Sequence, residues 1–119
     1  MNEPLASNIS ETFTIDASTE KEAEALLRNY LIGIEQWNLE KNLEELLTVG
    51  GGFLDRLNFI ESHLGTKHYR SLLVSGCAVG SELIAARNRG FSEAIGTEVV
   101  PDYVTIGRKR LKDLTDTAI

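Results

Sequence analysis

One segment constrains this chain more than any other: Leu72 to Val100, reading LLVSGCAVGSELIAARNRGFSEAIGTEVV. A short apolar run, Leu72-Leu73-Val74, breaks into Gly76-Cys77-Ala78-Val79-Gly80. Glycine frees the backbone for a sharp reversal out of a strand. Residues 81–89 then carry Leu83, Ile84 and Ala86, which predicts a helix closed by Gly90. A second apolar run, Ala94 to Val99, holds an acid, Glu98, near its end. Strand, tight turn, helix and strand in this order fold as a parallel pair, since a crossover must carry the chain back before the second strand begins. The unbroken Leu72-Leu73-Val74 run predicts a strand buried on both faces.

Upstream the pattern is helical. Residues 1–17 are polar, with Pro4 and several Ser, Thr and Asn, and read as a loose leader. Residues 18–70 form a helical segment. Thr19 and Glu22 have the spacing of a capping box, and Ala23, Leu26, Leu27, Tyr30, Leu31 and Ile34 recur at helical intervals. Leu39, Leu43, Leu46 and Leu47 mark a second helix that stops at Gly50-Gly51-Gly52. Phe53, Leu57, Ile60 and Leu64 mark a third, with Gly65 as its terminator. Past the second strand, Pro101 suits the first turn of a helix. Val104, Gly107, Leu111 and Leu114 are its expected buried stripe. The fold class is therefore α/β: N-terminal helices, then the first β-α-β-α units of a doubly wound parallel sheet beginning at residue 71.

Charge and cysteine content exclude several functions. The net charge of −6 leaves no basic stripe able to neutralise a row of phosphates, so nucleic-acid binding by this chain alone is not expected. Arg108-Lys109-Arg110 with Lys112 is the one basic run, and a solvated helix face accounts for it. A single cysteine, Cys77, forms no internal disulfide, and CxxC spacing is missing. No apolar run approaches the roughly 20 residues a membrane helix needs, and the first residues do not have the pattern of a targeting peptide. A cytoplasmic protein is the expectation.

The bend has a chemical reading. Gly76 and Gly80 leave room for a ligand to approach the backbone, and the amides opening the next helix offer donors. Glu98, at the carboxyl end of the second strand, could accept bonds from both hydroxyls of a ribose. A dinucleotide fingerprint requires G-x-G-x-x-G. Here Ser81 stands where its third glycine would be, which disfavours a nicotinamide-dependent oxidoreductase.

Gly76-x-Ala78-x-Gly80 followed by Gly96-Thr97-Glu98-Val99 resembles the opening of class I, Rossmann-like S-adenosylmethionine-dependent methyltransferases. The resemblance covers residues 71–119 and, more loosely, the helix from about 53. It implies a cofactor, S-adenosyl-L-methionine, held by Ser75, Gly76, Cys77, Ala78, Gly80, Glu98 and Val99. Within that set Glu98 would bind the ribose and Val99 flank the adenine, and Glu82 falls where the family commonly has an acid. Two departures stand out: Ala78 replaces the middle glycine, and Val74 replaces the first-strand acid, leaving Ser75 as a weaker substitute. The family sheet has about seven strands against the two evident here. The expectation is an N-terminal portion of a longer enzyme, or a chain whose sheet is completed by a partner. No catalytic residue and no metal site can be assigned, and the methyl acceptor is unknown. The alternative is a non-catalytic interaction module built on a truncated methyltransferase fold.

Other residues have plainer readings. Cys77 lacks a placed base and reads as a turn residue. His63 and His68 do not have the spacing of paired metal ligands and belong on the surface. Trp37 and Tyr30 sit among apolar helical residues and suit a core. Glu35, Glu40, Glu44 and Glu45 suit a solvated helix face.

Overall fold

The computed structural model describes residues 12–34, 38–64 and 70–119. Among the described residues five helices and three strands follow one another: α1 (Ala17–Ile34), α2 (Leu39–Leu47), α3 (Gly52–Leu64), β1 (Ser71–Ser75), α4 (Ser81–Arg89), β2 (Glu93–Thr97), α5 (Pro101–Arg110) and β3 (Thr117–Ala118). The strands form one parallel sheet in the order β1-β2-β3, so the chain is α/β with its helices first, as expected. Glu35, Trp37, Gly65, His68 and residues 1–11 lie outside the described residues.

The start of α1 differs from the capping-box expectation. Asp16 caps the helix: its Oδ2 accepts from the Thr19 amide at 3.2 Å and from the Ser18 hydroxyl at 2.5 Å. Those bonds, led by the one from Ser18, hold the Asp16 carboxyl below its ordinary 3.8. Thr19 is then the third helical residue and is itself buried. Nor is the approach to α1 loose throughout. Phe13 exchanges two backbone bonds with the Asn88 amide, and Phe13 and Ile15 pack on the sheet-side core.

The packing follows a narrower stripe than the sequence pattern suggests. In α1, Thr19, Ala23, Leu27 and Leu31 are buried at four-residue spacing, whereas Leu26 and Ile34 are exposed. In α3, Phe53 and Leu57 are buried and Ile60 faces solvent. Two cores result. Phe53, Leu57, Cys77, Leu83, Ile84 and Ala94 fill the space between α3, α4 and the sheet. Ala23, Leu27, Leu31, Leu43, Val79 and Ile106 fill that between α1, α2 and α5. The bend after β1 feeds both, Cys77 into the first and Val79 into the second.

One arginine joins the two layers. Arg110 reads as part of an exposed basic run but is 1 % exposed. Its Nε and Nη2 hold the Glu20 carboxylate at 2.8 and 2.9 Å. Nη1 reaches the Val79 carbonyl and the Ser81 hydroxyl, both at 2.8 Å, and Nη2 the Leu47 carbonyl at 3.1 Å. Every donor of the guanidinium is used. Arg108, by contrast, is exposed and donates to the Ile119 carbonyl, while Lys109 pairs with Glu22.

α5 stops at Arg110 rather than running through Leu114. The chain turns, Asp116 adopts a left-handed φ of 55°, and its carbonyl receives the Ala94 amide at 3.0 Å, which starts β3 beside β2. β1 is not buried on both faces: α4 packs on the face carrying Leu72, Val74, Ala94 and Gly96. On the opposite face Leu73 and Ile95, partners in register, are 69 % and 43 % exposed. β1 also has an unpaired edge among the described strands. No helix among the described residues is long and apolar enough to cross a membrane.

Replacing Arg110 by Met strands the Glu20 carboxylate and three backbone or hydroxyl acceptors, and should cost about 3 kcal/mol or more in urea unfolding. Arg110→Lys, with three donors on a point charge, should recover only part of this. The Asp16 cap gives a pH signature. Its carboxyl is depressed in the folded state, so its stabilisation is complete above the ordinary 3.8 and disappears as pH falls through the lower folded value. Asp16→Ala should therefore lower the thermal midpoint at pH 7, and its difference from wild type should shrink as pH falls below 3.8.

Candidate functional site

The bend from β1 to α4 is tied down at several points. The amides of Gly76 and Cys77 both donate to the Thr97 carbonyl, at 2.8 and 3.0 Å, extending the β1–β2 ladder into the turn. Gly76, Ala78 and Gly80 take φ values of 71°, 49° and 86°. Glycine does this freely, but Ala78 in the left-handed region costs about 1 kcal/mol. What holds it there is Glu98. The Ala78 amide donates to Glu98 Oε1 at 2.7 Å, and Glu98 Oε2 accepts from the amides of Val99 and Val100, both at 3.0 Å.

Glu98 therefore stands beside the bend, as the sequence spacing implies, but it is already engaged. Three backbone amides share its two oxygens. Each carboxylate oxygen can accept about two bonds, so Oε1 keeps one acceptor position and Oε2 is filled. A bidentate grip on two ribose hydroxyls requires at least one of these backbone bonds to open. Val99 is 93 % exposed next to it, an apolar side chain standing free at the carboxyl end of β2.

The remaining candidates divide. Ser75 and Gly76 are exposed, and a Cβ built on Gly76 meets nothing within 4 Å, so this residue does present open backbone. Gly80 does not: it is buried, and a Cβ there would press on Leu111 at 3.3 Å, so its missing side chain serves internal packing rather than ligand room. Cys77 is 3 % exposed, and burial, then the Glu98 charge, pushes its thiol above the usual range. That suits a packed turn residue and opposes thiolate formation. Gly96 answers it from β2, since a Cβ there would lie 2.8 Å from Cys77 Cβ and collide with the sulfur.

A cleft of about 340 Å³ opens against the bend. Its walls are Gly76, Cys77 and Ala78 on one side, Ser81 and Glu82 at the start of α4, and Glu45, Thr48, Gly50, Phe53 and Arg56 from α2, α3 and the connection between them. Glu45 and Arg56 were not legible as site residues: Glu45 suits a solvated helix face, and no motif singles out Arg56. A second groove, of about 320 Å³ between α1 and α5, has Asp102 as its one charged wall residue. There Tyr30 is half-buried, its ring edge-on to Tyr103 with centroids 5.2 Å apart.

Glu40 is exposed and paired with Arg28, and Glu44 is exposed as well. His63 is exposed and stacked near Phe59, with ring centroids 4.1 Å apart. Among the described residues no three His, Cys, Asp or Glu side chains gather as a metal site would require.

Comparisons with protein-family models, curated proteins and solved structures returned no match. The functional reading therefore stands on the residues of this chain. Its local geometry can be probed at Ala78. Ala78→Gly relieves the left-handed cost while keeping the amide that Glu98 receives, and should raise stability by up to about 1 kcal/mol in thermal unfolding. A lower midpoint would contradict the left-handed backbone at this position.

Proposed function

We propose that this chain carries the cofactor-binding half of a cytoplasmic S-adenosylmethionine-dependent methyltransferase. The observation that supports it best is the junction of bend and acid. Glu98 Oε1 lies 2.7 Å from the Ala78 amide, at the carboxyl ends of two parallel strands. Crevices at that end of an open α/β sheet are where such folds take their ligands. The open backbone at Gly76 and the adjoining cleft supply room for the cofactor's sulfur end. Glu98 would receive a ribose hydroxyl on the free position of Oε1, and the exposed Val99 would back the adenine.

When bound, the cofactor supplies an electrophilic methyl group on a sulfonium. The chain's own contribution is to hold that group in line with an acceptor, an effect of orientation rather than acid–base chemistry. On this reading the three strands belong to a larger doubly wound sheet. A further segment or a partner chain would then cover the apolar face at Leu73 and Ile95 and the free edge of β1.

One observation favours a second reading. The Glu98 carboxylate is satisfied by backbone amides without any ligand. The bend could thus be purely structural, and the bare sheet face the working surface of a non-catalytic module. Calorimetric titration with S-adenosylhomocysteine separates the two. Methyl transfer expects saturable binding that Glu98→Ala weakens about tenfold or more, in proportion to a hydrogen bond to a charged group. No binding by the folded chain supports the module instead.

A further inference from the structure

α1 and α5 run antiparallel. Glu20 and Glu22 meet Arg110 and Lys109 at 2.8 and 3.1 Å, and further along the seam Tyr30 meets Tyr103, 5.2 Å between ring centroids. The groove of about 320 Å³ on this seam shares no wall residue with the cleft at the bend. Ile106, 2 % exposed, forms its floor, and Leu26, 44 % exposed, a wall. Asn29 on α1 and Asp102 and Thr105 on α5 add polar atoms around the half-buried ring of Tyr30. Asp102 and Thr105 are three residues apart, so they lie one above the other on the same face of α5.

Asp102 is the groove's one charge, and it takes part in none of the ion pairs among the described residues. Lys109, two turns further along α5, is held by Glu22. An unmatched carboxylate at the lip of an apolar channel complements a cation carried on an apolar stem.

We infer that this groove takes a lysine side chain of a partner protein, its four-carbon stem lying along Leu26 and Ile106 and its ammonium against Asp102. The inference is independent of the methyl-transfer reading and places no reacting atom in the groove. Donor count favours lysine: an ammonium has three donors and no acceptor, and the groove offers three acceptor side chains, Asp102, Thr105 and Asn29. The Tyr30 ring adds an aromatic wall of the kind that attracts a cation. Exposure favours a side chain over a free small molecule. Leu26, Asn29, Asp102 and Thr105 are all exposed, so the groove is too open to surround a ligand as an enclosed pocket does. A side chain needs less enclosure, because the chain bearing it makes contacts outside the groove. The chain's net charge of −6 draws a basic partner in the same sense.

The test titrates the whole 119-residue chain, observed by amide NMR, with two probes. Nα-acetyl-lysine N-methylamide carries stem and ammonium; Nα-acetyl-norleucine N-methylamide carries the stem alone. The lysine probe should shift the amides of residues 26–30 and 102–106 saturably and bind about tenfold more tightly than the norleucine probe, as a bond to a charged group implies. Asp102→Asn should abolish that preference. Glu44→Gln, which removes the same charge from an exposed position outside the groove, should leave it intact. Leu26→Ser should weaken both probes together. Unchanged amide spectra away from the groove verify that each variant keeps its fold. Equal binding of the two probes marks an apolar occupant and overturns the inference. So does an equal loss in Glu44→Gln and Asp102→Asn, which is diffuse attraction to an acidic chain, and so does the absence of shifts at the groove.

Discussion

Arg110 is the interaction on which the rest of this structure depends. A guanidinium withdrawn from water is tolerable only when its charge and all its donors are matched. Here the match requires Glu20 from α1, the carbonyl closing α2, and the carbonyl and hydroxyl on either side of Gly80. None of these partners is near Arg110 in sequence. The Ser81 hydroxyl extends the network by donating to the Leu46 carbonyl at 2.5 Å. The helical layer and the sheet layer are thus bound at the bend, where each would otherwise present unpaired backbone.

The bend inherits its shape from that constraint. Val79 is drawn into the helical core and Cys77 into the sheet core, so the residue between them has little freedom. Ala78 is left to turn left-handed, at a cost of about 1 kcal/mol, and a charge-assisted bond from its amide to Glu98 offsets it, since bonds to charged groups contribute about 1.5–3 kcal/mol. The same carboxylate fixes the first residues after β2. A cleft whose floor is held this firmly before any ligand arrives loses little further freedom on binding.

The sequence revealed the parts of this arrangement that depend on local chemistry. α4 appears as read, Ser81–Arg89, because glycines at 80 and 90 bracket it. Pro101 opens α5 and the glycine run separates α2 from α3 for equally local reasons. Where two local signals compete, the reading slipped: Asp16 and Thr19 both suit a helix cap, and only packing decides that Thr19 goes inside. Nonlocal features left no mark. Arg110 resembles its solvated neighbours until Glu20 is brought up to it, and β3 is two residues of no strong strand character. Leu73 fits a strand covered on both faces, yet the described residues cover one. At the site, the nearness of Glu98 to Gly76–Gly80 was legible from spacing alone. The cleft's charged walls were not, because Glu45, Arg56 and Glu82 come together only through the stacking of three helices.

The contact between Cys77 and Gly96 makes those two positions a single slot, wide enough for one side chain. It can be filled from the turn or from the strand, but not from both. The constraint runs from 77 to 96: a methyl group at 96 has no room while Cys77 keeps its side chain. Any such exchange would pull on the peptide that follows residue 77, whose amide is the one Glu98 receives. The volume of a buried thiol thereby sets where the carboxylate sits.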